Sequence, residues 1–123
     1  MGLDLTLAID KFGFCHRNKG LKGKEWVLAS DVLTVWRDGL PHRIREIAET
    51  KAIPLPDWVE FEMYGDNGCK NETKDSYGKP LTYMTAGELA KIKPDKDGGP
   101  WNKAILKFLK AINPETWVVL YWH

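Results

Sequence analysis

Thr116-Trp117-Val118-Val119-Leu120-Tyr121-Trp122 carries large apolar side chains at successive positions, so an extended chain there is apolar on both faces. A strand with one wet face alternates, whereas a continuous run reads as a strand buried on both sides or shielded by a partner chain. Working outward, Leu3-Asp4-Leu5-Thr6-Leu7-Ala8-Ile9-Asp10 has the two-residue period of a half-buried strand. Leu3, Leu5, Leu7 and Ile9 are expected to face the core, with Asp4, Thr6 and Asp10 facing away. Residues 58–64 alternate again, Val59, Phe61 and Met63 against Trp58, Glu60, Glu62 and Tyr64.

Helical spacing appears between these segments. Pro41 suits a first helical turn, and Leu40, Ile44, Ile47 and Ala48 recur at one face until Pro54 and Pro56 stop the pattern. Thr85-Ala86-Gly87-Glu88 is a capping box, and Met84 with Leu89 occupies the two positions of a hydrophobic staple, so a short helix starts near Ala86. Pro100 opens the strongest helix, with Trp101, Ala104, Ile105, Phe108, Leu109 and Ile112 as its core stripe and Lys103, Lys107 and Lys110 opposite. Residues 25–37, rich in β-branched and aromatic side chains, read as extended structure, with a short helix capped at Ser30-Asp31 as the alternative. Residues 12–24 read as an exposed basic loop, and residues 65–80, rich in Gly, Asn and Asp, as a long polar loop. The expected fold is α+β: a mostly antiparallel sheet with two to three helices packed on one face, in one domain spanning 1–123. The final strand then lies either centrally in that sheet or in a homodimer interface.

Composition limits the functional classes. At 123 residues and 43% apolar, with 28% charged, the chain has globular rather than disordered character. No apolar run approaches the ~18 residues of a membrane span, and no secretory leader is expected, which places the protein in the cytoplasm, away from membranes. A net charge of +1 sets up no long-range field. Yet residues 15–45 hold Arg17, Lys19, Lys22, Lys24, Arg37, Arg43 and Arg45 against Glu25, Asp31 and Asp38. Residues 57–75 hold Asp57, Glu60, Glu62, Asp66, Glu72 and Asp75 against Lys70 and Lys74. The near-neutral total hides two patches of opposite sign.

Catalytic and metal chemistry find little support. Cys15-His16, Cys69, His42 and His123 lack the close ligand pairs of a zinc site. Cys69 beside Lys70, and Ser76 in the same loop, have no adjacent nucleophile signature. Asp4 and Asp10 would share an acidic face with Glu60 and Glu62 if their strands belong to one sheet, which is the single arrangement suited to a metal-dependent hydrolase. No metal and no cofactor is expected. Six Trp exceed what a core of this size needs, and exposed Trp favours protein interfaces and base stacking.

Three stretches together carry a resemblance. Met1-Gly2-Leu3-Asp4, Gly39-Leu40-Pro41 and Leu81-Thr82-Tyr83-Met84-Thr85-x-x-Glu88-Leu89, before a last helix and apolar strand, resemble small accessory proteins of tailed phages. That group shows a His-Ser-x-Ser run where this chain has Ser76-Tyr77-Gly78-Lys79, so no role of that His carries over. The resemblance implies a bacteriophage accessory protein rather than a known enzyme. Joined to the segregated charge, the surplus Trp and the lack of a catalytic set, it leads to the expectation of a protein that acts in the host cytoplasm by binding a host or defence-system protein, as an anti-CRISPR or other anti-defence inhibitor. Its expected contact residues are Arg17, Lys19, Lys22 and Lys24 in the basic loop, Trp26, Trp36, Arg43 and Trp58, and Asp66 to Tyr77 in the polar loop. The alternative is a nucleotide or single-stranded nucleic-acid binder, with Arg17, Lys19, Lys22 and Lys24 on phosphate and Trp26 or Trp36 stacking on bases.

Overall fold

A computed structural model describes residues 4–11, 13–17, 25–28, 32–56, 59–65 and 68–123. Five strands form one antiparallel sheet in the order β3-β1-β8-β7-β4: β1 (Leu5–Ile9), β3 (Val32–Val35), β4 (Ile53–Pro54), β7 (Thr82–Thr85) and β8 (Trp117–Trp122). The segment 116–122 thus lies at the centre of the sheet, with β1 on one side and β7 on the other, which accounts for its two apolar faces without a second chain.

Register sorts the side chains. Leu5, Leu7 and Ile9 share a face with Met84, Val118 and Leu120, and that face packs on α2 (Leu40–Lys51), α3 (Ala86–Ala90) and α4 (Pro100–Ala111) through Leu40, Ile44, Leu89, Ile105 and Leu109. All three helices therefore cover one face of a mostly antiparallel sheet. The short helix α1 (Phe14–Arg17) places Cys15 on the other face. The α3 start has the geometry its sequence encodes: Glu88 N–H donates to Thr85 Oγ1 at 3.2 Å, and Thr85 N–H donates to Glu88 Oε1 at 3.1 Å. The α2 start is held by one local and one distant carboxylate. Asp38 Oδ1 accepts from Leu40 N–H and Asp95 Oδ2 from Gly39 N–H, which satisfies donors that a helix start leaves free. A Cβ at Gly98 would meet Asp38 Oδ2 at 2.7 Å, so the close approach of these loops requires glycine there.

The second face of the sheet departs from the alternation. Thr6 and Asp10 do not face solvent; both are buried, as is Ala8 between them. Ala8, Tyr83, Trp117 and Val119 meet Cys15, Leu81 and Val59, so this side is covered too. Tyr83 and Trp117 stack with centroids 3.8 Å apart. Asp10 tolerates burial because its Oδ2 accepts the Cys15 N–H at 2.7 Å, tying α1 to the end of β1. A two-residue period reports only that two faces differ, and a small or hydrogen-bonded side chain fits under a covering layer as well as under water.

Burial, reinforced by the Asp10 carboxylate, pushes the Cys15 thiol far above its usual range. The unfolded thiol ionises near ~8.5 while the folded one stays protonated. Its contribution to stability is therefore complete below about pH 8 and declines as pH rises above that value, because only the unfolded state gives up the proton. The wild-type urea midpoint is expected to fall more steeply above about pH 8.5 than that of Cys15→Ala. Parallel slopes in the two proteins would refute this.

A second, three-stranded sheet has the order β2-β5-β6, with β2 (Glu25–Leu28) parallel to β5 (Val59–Gly65) and β6 (Gly68–Glu72) antiparallel to it. The expected long loop over residues 65–80 is corrected here, since its first part forms β6, in a hairpin whose register closes at Gly65 and Gly68. Glu60 and Glu62 lie on β5, in a different sheet from Asp4 and Asp10. The expectation that these four carboxylates share the face of one sheet is therefore corrected. No helix among the described residues is long and apolar enough to cross a membrane.

Candidate functional site: the β3 edge and the outer flank of α4

At 100° per residue, the α4 side chains fall into three arcs. Asn102, Ile105, Leu106 and Leu109 are buried against the sheet. Beside them come Trp101, Ala104 and Phe108, then the exposed Lys103, Lys107 and Lys110. Trp101 is thus not a core residue: it is 53% exposed and Phe108 is 42% exposed. The apolar arc of α4 is wider than the sheet beneath it, because β3 is the last strand on that side.

The uncovered arc and the β3 edge enclose a groove of about 440 Å³, walled by Ile9, Val32, Leu33, Trp101, Ala104 and Phe108. Trp36 stands just past the end of β3, 65% exposed. Polar contacts hold this edge rigid. Trp36 N–H donates to Asn102 Oδ1 at 2.7 Å, Asn102 Nδ2 returns a bond to the Trp36 carbonyl at 3.0 Å, and Trp101 Nε1 donates to the Thr34 carbonyl at 2.7 Å. Two α4 side chains thereby occupy outward-facing backbone groups of an edge strand, the groups that would otherwise pair with another strand.

The other expected contact residues are scattered. Lys19, Lys22, Lys24, Trp58 and Asp66 lie outside the described residues, and for Trp26 only its backbone position on β2 is described. Arg17 is exposed, with its Nε donating to the Gly13 carbonyl at 3.1 Å. Arg43 faces the α3–α4 connection, donating to the Lys93 and Pro94 carbonyls and lying 3.7 Å from Asp95. Tyr77 is exposed in the loop 73–80, far in sequence from Trp36 and on the other side of α2. Of the exposed Trp expected to matter, Trp36 joins the groove region. Trp101 and Phe108 were missed because helical spacing alone assigns them to the core stripe.

Several other polar groups have structural partners. Arg37 grips Asp4 with two hydrogen bonds of 2.6 and 2.7 Å, and that guanidinium holds the Asp4 carboxyl below its usual range. Ser76 Oγ shares a 3.2 Å hydrogen bond with the Tyr121 hydroxyl, not with an imidazole or carboxylate. Thr6 and His123 share one of 2.9 Å. Among the described residues no group of three or more His, Cys, Asp or Glu side chains is placed to hold a metal ion.

No protein-family model, curated protein or solved structure matches this chain.

Proposed function

We propose that this protein acts by recognition, gripping a segment of another protein in the groove between the β3 edge and α4. One observation carries the reading. Of the six large apolar side chains that are exposed among the described residues, three (Val32, Trp101 and Phe108) line this groove, and Trp36 follows just past the end of β3. Scattered exposed apolar residues are ordinary, but a cluster rich in Trp on a rigid frame is the makeup of an interface hot spot. The groove lining is apolar throughout, which favours a partner segment that presents large apolar side chains.

The tailed-phage motifs supply the biological setting of the proposal. The partner is a host or defence-system protein, and the chain is an anti-defence inhibitor, of a CRISPR effector or another system, working in the host cytoplasm. Both halves are tested by affinity purification from infected cells with the wild type and with Phe108→Glu and Trp36→Ala. Each variant changes an exposed side chain and is expected to keep its stability within about 0.5 kcal/mol. A stoichiometric host or defence protein should come down with the wild type, and its affinity should fall about 30-fold or more in each variant, the scale of a hot-spot loss. Full retention by both variants would place the interface elsewhere, and no stoichiometric partner would remove the reading.

A further inference from the structure

A second depression lies on the helix face, between α2 and the loop 73–80, with Trp122 at its base; its volume is about 580 Å³. That is the size of a small-molecule site rather than a packing defect. Ala48 on α2 and Ala52 just past its end line the space with small side chains, while His42, Arg45 and Glu49 of the helix lie along its rim.

The opposite wall is held in place before any ligand arrives. Asp75 Oδ1 accepts from the backbone N–H groups of Tyr77 and Lys79 at 2.9 and 3.1 Å. The loop closes on itself through Asp75 N–H to the Lys79 carbonyl and Gly78 N–H to the Asp75 carbonyl. It is pinned to the sheet by Ser76 N–H donating to the Trp122 carbonyl. Gly78 takes φ +78°, which a side chain at that position would strain. Such a wall spends its ordering entropy on folding, so binding does not repeat that cost.

The rim carries charges of both signs, with Glu49 and Asp75 facing Arg45 and Lys79 across the same lining. Asp75 accepts from its own loop through Oδ1. The side chains of Arg45 and Lys79 bond to no described residue, and they flank the aromatic rings of Tyr77 and Trp122. Two unpaired cations beside two aromatic rings suit a planar, anionic ligand. Glu49 remains as an acceptor for hydroxyl groups, the role a carboxylate takes toward a ribose.

We propose that this pocket binds a ribonucleoside monophosphate, with the base against Tyr77 and Trp122, the phosphate on Arg45 and Lys79, and the ribose hydroxyls toward Glu49. The site is separate from the β3–α4 groove, so either assignment stands without the other. It also differs from the basic loop that the sequence offered for nucleotide binding.

Isothermal titration of the full chain with the four ribonucleoside 5′-monophosphates tests it, with inorganic phosphate and the free nucleosides as controls. At least one monophosphate should saturate below about 1 mM. Phosphate alone and the matching nucleoside should each bind about tenfold more weakly or worse, and Arg45→Gln and Tyr77→Ala should each lose about tenfold in affinity. Added salt should weaken the binding. No saturation by any of the four overturns the proposal, as does binding that both substitutions leave unchanged. Phosphate binding as tight as the nucleotide would overturn the role given to the rings. Since Arg45 and Tyr77 are exposed, a folded variant is expected in each case, checked by an unchanged thermal midpoint.

Discussion

Replacing Leu120 with alanine should destabilise the protein by about 3–5 kcal/mol, read as a lowered urea midpoint at unchanged m value. Leu120 is fully buried in the central strand, opposite Leu7 on β1 and Thr82 on β7, and it faces the three helices. Strands on both sides and helices above leave the site little room to collapse, and rigid surroundings put a truncation at the upper end of its range. A domain of ordinary stability holds only about 5–15 kcal/mol, so a large part of the total rides on this side chain. Val32→Ala offers the contrast. Val32 sits on the edge strand and is largely exposed, so its truncation should cost about 0.5 kcal/mol. Equal effects at the two positions would contradict a central β8.

Asn102→Ala should cost about 2 kcal/mol and, in addition, make the protein self-associate. Asn102 is 2% exposed, yet its amide has both polar groups satisfied by the two backbone groups of Trp36. Alanine removes both bonds together. The Trp36 N–H and carbonyl are then left to water or to the edge of another molecule, beside a groove already lined with apolar side chains. Sedimentation velocity should show a dimer or larger species that grows with concentration in the variant and is absent in the wild type. Asn102→Asp separates the two bonds: it keeps an acceptor for Trp36 N–H but sets a carboxylate against the Trp36 carbonyl, so it should be no more stable than alanine. A variant as stable and as monomeric as the wild type would show that Asn102 does not guard the edge.

Elements whose signal is local were legible in the chain. The α3 start is encoded within five residues, Met84 to Glu88, and the observed bonds reproduce it. Both long helices follow their apolar spacing and their prolines. Three strands were not legible: β4 is only the two residues Ile53–Pro54 beside a helix stop. β7 has only four residues and merges into the capping box, too short a window for a period to register. β6 reads Gly-Cys-Lys-Asn-Glu, which has no apolar pattern; it is a strand because its backbone pairs with β5 across the turn-forming sequence Gly65-Asp66-Asn67-Gly68.

The candidate sites divide the same way. Tyr77 and Trp36 stood out as aromatic residues in or beside polar segments. Arg45 was visible only as one charge among seven, and Trp122 and Phe108 only as apolar members of a core pattern. Whether a large side chain on an amphipathic helix is buried depends on how wide the opposing sheet is, and that width is set by strand order.

The amino-acid sequence by itself determined the two long helices and α3 with their starts, the first and last strands and β5, and that the last strand must be covered on both faces. Those properties follow from spacing and from bonds between neighbours in the chain. Only the tertiary structure decided that β1 and β5 belong to different sheets, that Thr6 and Asp10 are buried, and that Trp101 and Phe108 are left uncovered at an edge. Strand pairing joins residues far apart in sequence, and the energy that selects one pairing over another resides in contacts between segments rather than within them.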